Sequence, residues 1–144
     1  MYKHILIATD GSDLAGKAVA AGFDLAKQLQ AKVTAVTVTE PWTAHLSGEF
    51  GLASVDQYEE SADENAARIL DGLIKLARAA NVECATLHAK DQFPAEGILQ
   101  AATANNCDLI VMASHGRRGL GRLLLGSQAV NVLTHSKLPV LICR

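Results

Sequence analysis

The residues best suited to chemistry follow an apolar run that begins at Leu109 and ends at Ala113. The run leads into Ser114, then a histidine, several glycines and three arginines, and it is followed by Gly126 and Ser127. Glycine lets backbone N–H groups approach phosphate oxygens closely, and a helix that starts at Ser127 would point its first N–H groups at the same place. The pattern indicates an anion site at the carboxyl end of a buried parallel strand. On this loop alone, a flexible connection without a ligand is an equal alternative.

The two common nucleotide fingerprints are both missing. No Gly-Lys-Ser or Gly-Lys-Thr follows the glycines, so the loop is not a Walker A sequence. The turn after the first predicted strand contains Thr9, Asp10, Gly11 and Ser12 in place of the Rossmann glycine pattern. From local sequence alone, Asp10 is best explained as a turn or helix-capping residue.

Strands alternate with helices along the chain, which predicts a parallel sheet covered on both faces. The strands are predicted at residues 4–9, 31–39, 82–89, 109–113 and 139–143. Four helices are predicted. The first begins after Ser12, the second at the capping-box pattern that starts with Ser54, and the third near Pro94. The fourth begins at Ser127 and ends at about Leu133. The segment 40–53 lacks periodicity and is expected to border the pocket, where Trp42 and His45 could contact a ligand or pack on a helix.

Length and charge narrow the classes of function. The 144 residues, 49% of them hydrophobic, suit a single domain spanning 1–144. A net charge of −2 gives no basis for nucleic-acid binding, and no apolar run approaches the roughly 20 residues that span a bilayer. Without a signal-peptide pattern, the expected location is the cytoplasm. Cys84, Cys107 and Cys143 are too far apart for a metal motif and are expected to be buried.

The chain resembles the universal stress proteins. Their ATP-binding signature is glycine, two residues, glycine, nine residues, glycine, then serine or threonine; Gly116, Gly126 and Ser127 match it, and Ala113 replaces the first glycine. The resemblance extends to the opening strand with Asp10 and to the closing apolar strand, and so covers essentially the whole chain.

The resemblance implies a fold and a ligand. The fold is a single-domain, open, mostly parallel five-stranded α/β sheet of order 3-2-1-4-5, of the adenine nucleotide alpha hydrolase-like type. The ligand is ATP or AMP, with or without Mg²⁺: Asp10 contacts the nucleoside and the backbone at Val38 contacts the adenine edge. The full set of site residues is Thr9, Asp10, Val38, Met112, Ala113, His115, Gly116, Arg117, Gly126, Ser127 and Gln128.

Several alternatives remain open at this stage. His115 is a phosphate contact or a structural loop histidine, and Arg117 is a phosphate neighbour or a surface ion-pair partner. Ala113 weakens binding if its position needs positive φ and costs almost nothing in an ordinary strand. The main hypothesis is a nucleotide-binding regulatory protein of the stress response. A slow ATPase or phosphotransferase, without identified catalytic residues, and a nucleotide-free interaction module are its rivals.

The last strand is expected to take part in self-association. It begins at Pro139 and ends at Cys143, and it is apolar although it would lie at the edge of the sheet. Universal stress proteins commonly pair this strand with its copy across a dimer axis. The resemblance therefore implies a homodimer.

Overall fold

The structure, a computed structural model, describes residues 1–45, 54–116 and 125–144. Their strands are β1 (His4–Ala8), β2 (Lys32–Thr39), β3 (Cys84–Lys90), β4 (Leu109–Ala113) and β5 (Val140–Cys143). The helices are α1 (Asp13–Leu29), α2 (Val55–Ala80), α3 (Pro94–Ala104) and α4 (Ser127–His135), with a short 3-10 helix at Trp42–His45. The first residues of the predicted irregular segment 40–53 thus include a helical turn, and residues 46–53 lie outside the described part.

The five strands form one sheet in the order β3-β2-β1-β4-β5, and each neighbouring pair is parallel. This confirms the fold and the strand order that the sequence resemblance implies. The sheet is buried on both sides: one hydrophobic cluster lies under α1 and α2, and a second lies under α3 and α4. Continuous apolar strands such as β4, which is buried throughout, are what a doubly covered parallel sheet requires.

Helix caps explain where the two long helices begin. Ser12 precedes α1, and its side chain accepts a hydrogen bond from the N–H of Ala15. Ser54 and Gln57 form the predicted capping box at the start of α2, each side chain bonding to the other residue's backbone N–H. These bonds satisfy N–H groups that the first helical turn cannot pair internally.

Several predicted boundaries differ from the structure, most by a single residue. β3 begins at Cys84, because Val82 donates its N–H to the carbonyl of Ala77 and so completes the carboxyl end of α2. β1 ends at Ala8, although the N–H of Thr9 still bonds to β2. α4 continues to His135, two residues beyond the predicted end.

The cysteines are less uniformly buried than predicted. All three are free thiols, and only Cys107 is fully buried, whereas Cys84 and Cys143 are half-buried on the outermost strands. Burial raises the pKa of each thiol, and that of Cys107 reaches about 11.

Candidate functional site

The candidate site lies where β1 and β4 end side by side. Ala8 on β1 pairs with Val36 on β2, and Ile7 pairs with Val111 on β4. If both registers are continued past the end of β1, Asp10 comes level with Val38 on one side and with Ser114 on the other. α1, which follows β1, and α4, which follows β4, lie on opposite faces of the sheet, an arrangement that in open α/β sheets leaves a crevice between the two strand ends. Open α/β sheets bind ligands at such a switch point.

The turn after β1 holds the Asp10 carboxylate in place. Its Oδ1 atom accepts the N–H of Ser12 at 2.9 Å, while the hydroxyl of Thr9 accepts the N–H of Gly11 at 3.1 Å. Gly11 has φ 80°, which this tight turn requires and which glycine adopts freely. Asp10 therefore does serve as a turn residue, as its local sequence predicts.

Gly116 lies directly against the Asp10 side chain. A Cβ atom added to Gly116 would be 2.8 Å from Asp10 Oδ2, closer than real Cβ atoms approach an oxygen. The glycine therefore allows the backbone that follows β4 to reach the carboxylate that follows β1. The two halves of the candidate site meet at this contact.

The end of β4 is ordinary strand. Met112 and Ala113 are both buried, and they face opposite layers of the molecule. Ala113 pairs with Cys143, and positive φ among the described non-glycine residues is confined to other positions, namely Gln30, Asn81, Asp91 and Asn106. Its methyl group packs into the core at no conformational cost.

The backbone after β4 is bonded to the start of α4. The carbonyl of Ser114 accepts the N–H of Gly126 at 2.7 Å, and a Cβ added to Gly126 would lie 3.1 Å from that oxygen. The Ser114 hydroxyl lies 3.1 Å from His115 Nδ1. His115 Nε2 is buried and has no hydrogen-bond partner. Ser114, itself buried, is a site residue that the sequence reasoning quoted in the motif but did not assign a role.

The start of α4 has no side-chain cap. Gly126 occupies the capping position and has no side chain to accept the first N–H groups of the helix, and Ser127 is exposed. The Gln128 side chain has a structural contact, because its Oε1 accepts a hydrogen bond from the N–H of Ala95 in the first turn of α3. Phe93, the capping residue of α3, makes no side-chain bond of this kind, so Gln128 takes over that role. The amino ends of α3 and α4 are thereby joined.

Val38 lies near the carboxyl end of β2. Its side chain packs on α3, where a Cβ added to Gly97 would be 2.9 Å from Val38 Cγ2. Arg117, like Arg118 and Arg122, lies outside the described residues. Within the described residues, no group of three or more His, Cys, Asp and Glu side chains could hold a metal ion.

A second cavity lies at the opposite, amino end of the sheet. It measures about 510 Å³ and is bordered by Lys3, Lys27 and Lys32 together with the ends of α1 and α2. Helix carboxyl ends carry partial negative charge, which the lysines balance. The described residues that line this cavity include no glycine, unlike those around Asp10.

The strand order and the helices on both faces of the sheet define an open, parallel α/β fold. The family model of the Universal stress protein family matches residues 1–144. The chain therefore belongs to the universal stress protein family.

Individual relatives agree with this assignment. A universal stress protein of Thermus aquaticus is 34% identical over 144 residues, covering 100% of both chains. The structure of UspA from Lactobacillus plantarum matches with a TM-score of 0.82 at 25% identity, covering 99% of this chain and 98% of that one. A universal stress protein solved in complex with cAMP matches with a TM-score of 0.71 at 25% identity, covering 99% of this chain and 97% of that one.

Among the described residues, no helix is both long and apolar enough to cross a membrane.

Proposed function

We propose that this chain binds an adenine nucleotide, ATP or AMP, at the crevice between β1 and β4 and acts as a regulatory protein of the stress response. The observation that carries the proposal is the convergence of the Asp10 carboxylate, the unpaired Nε2 of His115 and the uncapped start of α4 around Gly116 and Gly126. A related universal stress protein was solved with cAMP, an adenine nucleotide.

The phosphate end of the ligand would lie at α4. The N–H groups of Ser127 and Gln128 are at the start of a nine-residue helix, where the helix dipole favours an anion. The His115 ring lies beside Gly126, with Cδ2 3.5 Å from where a Cβ of Gly126 would be. Nε2, bonded to Cδ2, can donate a hydrogen bond to a phosphate oxygen there, which would give the buried nitrogen its missing partner.

The nucleoside would lie over the carboxyl ends of β1, β2 and β4. The Asp10 carboxylate, held at this edge of the sheet by its bond to the N–H of Ser12, would accept hydrogen bonds from ribose hydroxyls. Thr9, Met112 and Ala113 would lie beneath the nucleoside, and the backbone at Val38 would contact the adenine edge. Because Ala113 has ordinary strand geometry, we expect it to leave nucleotide binding intact.

A homodimer through β5 is part of the same proposal. β5 is an edge strand, paired only with β4 within the described sheet. Leu141 on this strand is 40% exposed, and Val130 and Leu133 on the adjacent α4 are 46% and 42% exposed. Pairing of β5 with a second copy would cover both the open backbone and this apolar surface.

Calorimetric titration with ATP and AMP, with and without Mg²⁺, tests the nucleotide proposal. We expect saturable binding that is lost in Gly126→Val, because the added side chain would strike the Ser114 carbonyl and displace the start of α4. The Gly72→Ala variant is the control, since a Cβ there meets nothing within 4 Å. Absence of binding at millimolar nucleotide by the folded protein would overturn the proposal and leave an interaction module as the better account.

A further inference from the structure

Ser114 is a buried polar residue whose hydroxyl has no role in the nucleotide proposal as stated above. The residue follows β4 directly, and all three of its polar groups are bonded. Its N–H donates to the carbonyl of Cys143 at 2.7 Å, and its carbonyl accepts the N–H of Gly126 at 2.7 Å. Its hydroxyl lies 3.1 Å from Nδ1 of His115. Ser114 therefore links β5, the start of α4 and the His115 ring.

We propose that Ser114 is a positioning residue that fixes the tautomer of His115, so that the neutral ring carries its proton on Nε2 and presents an N–H donor to a phosphate group at the start of α4. The phosphate contact rests on the proposed function, whereas the tautomer is a property of the nucleotide-free protein. The ligand class that follows is a nucleotide, because a nucleoside has no phosphate to accept this hydrogen bond.

The Ser114 hydroxyl decides the tautomer because its proton needs an acceptor. A buried hydroxyl that donates no hydrogen bond costs free energy. Among the described residues, Nδ1 of His115 is the acceptor within hydrogen-bond distance of this hydroxyl. Nδ1 accepts only when it carries no proton, and the neutral ring then carries its proton on Nε2. In the opposite tautomer Nδ1 would donate to the hydroxyl oxygen, and the hydroxyl proton would lose that acceptor.

The tautomer matters because of where Nε2 of His115 lies. This nitrogen is buried and has no hydrogen-bond partner within the part of the chain that the structure describes. The neighbouring ring atom Cδ2 is 3.5 Å from the position that a Cβ of Gly126 would take, so the ring edge lies against the start of α4. Phosphate oxygens are acceptors, so they are attracted by an N–H at Nε2 and repelled by a bare nitrogen lone pair. The hydroxyl of Ser114 thus selects the form of the ring that suits an anion.

A serine bonded to a histidine can also act as a nucleophile, but the burial of Ser114 favours the positioning role. Ser114 is 3% exposed, so a substrate could not reach its hydroxyl in this geometry. A histidine that takes the proton of a nucleophile is oriented by a third group bonded to its other ring nitrogen. Among the described residues, Nε2 of His115 has no such group.

Long-range proton–nitrogen NMR of the His115 ring in the nucleotide-free protein is the first test, at pH 8, where an ordinary histidine is neutral. We expect a single tautomer with the proton on Nε2 in the native protein, and a mixture with the Nδ1 form in Ser114→Ala, which keeps the backbone bonds. Ser136→Ala is the matched control and should match the native protein, because its hydroxyl bonds to Leu138 at the far end of α4. A native ring with its proton on Nδ1, or equal tautomer populations in Ser114→Ala and the native protein, would overturn the proposal.

Calorimetric titration with AMP and adenosine tests the consequence for the ligand. We expect Ser114→Ala to weaken AMP binding by about three- to tenfold, the effect of one hydrogen bond, and to change adenosine binding by less than about twofold. In a His115→Gln background, where the side-chain amide donates without a choice of tautomer, the serine substitution should have no further effect on AMP binding. Equal losses for AMP and adenosine, or equal losses in the two backgrounds, would contradict the proposal.

The two measurements separate the role of Ser114 from the nucleotide proposal. Failure of ATP and AMP to bind the native protein would overturn the proposed function and with it the phosphate contact of His115. A tautomer that changes in Ser114→Ala as expected would, in that case, still show that the serine fixes the ring. AMP binding of equal strength in Ser114→Ala and the native protein would overturn the role of Ser114 and leave the nucleotide proposal standing.

Discussion

A single methyl group added at Gly22 should destabilise the protein, although the same change elsewhere in α1 should stabilise it. Gly22 is buried where α1 crosses β1 and β4. A Cβ at this position would lie 2.6 Å from Ile7 Cδ1 and 2.9 Å from Ile7 Cγ1, with Val111 Cγ1 at 3.6 Å. Two of these distances are shorter than real Cβ atoms show, so α1 or β1 must shift.

Two opposing effects set the size of the change. Replacing glycine by alanine within a helix favours folding by about 1 kcal/mol. Overpacking a core costs about 1–3 kcal/mol, and Ile7 is fully buried, so its Cγ1 cannot rotate away without disturbing the sheet. Because the new Cβ would press on Cγ1, which cannot move freely, we take the upper half of this range, about 2–3 kcal/mol. After subtraction of the helix-propensity gain, Gly22→Ala should lower the free energy of unfolding by about 1–2 kcal/mol.

Gly16→Ala is the matched control on the same helix. A Cβ at Gly16 meets nothing within 4 Å, so only the helix-propensity gain of about 1 kcal/mol applies. Urea denaturation followed by circular dichroism measures both variants, and equal m-values would show that the unfolded states are comparable. If Gly22→Ala proved as stable as Gly16→Ala, the close packing of α1 on Ile7 would be refuted.

Two further predictions concern the thiols and the edge strand. At pH 8, alkylation of Cys107 in the native protein should be at least about a hundredfold slower than alkylation of an ordinary thiol. The reason is that a rise in pKa from 9.0 to about 11 lowers the thiolate fraction by about that factor. Labelling of Cys107 at the rate seen in urea would contradict this prediction. Leu141→Asp should shift the protein from dimer to monomer in analytical ultracentrifugation. Leu76→Asp, the control at a leucine that is 51% exposed on α2, should leave the dimer intact. A native monomer, or a dimer in both variants, would argue against pairing through β5.

The sequence predicted the elements that depend on local patterns. The unbroken apolar run of β4 and the capping box at Ser54 are readable from neighbouring residues, and both are confirmed. The strand order came from the family resemblance, because parallel pairing joins residues far apart in the chain.

Contacts between distant elements could not be predicted in this way. Gln128 is predicted at the ligand, and the structure adds a bond from its side chain to Ala95 that reflects how α4 packs beside α3, which no local spacing encodes. Asp63 is one of several acidic residues in the first half of α2, and its contacts with His88 and Lys90 arise only when α2 lies across β3. The unpaired Nε2 of His115 likewise becomes visible only once burial is known.

The most direct test of the nucleotide proposal is the location of the amide shifts that ATP induces in the NMR spectrum of the native protein. We predict that saturating shifts concentrate at residues 9–12, 38–39, 114–116 and 126–128, at the carboxyl end of the sheet. Gly116→Ala, whose new Cβ would displace the Asp10 carboxylate, should weaken them at every one of these positions. Shifts centred instead on Lys27 and Lys32 at the amino end, or no saturable shifts at millimolar ATP, would contradict the proposed site.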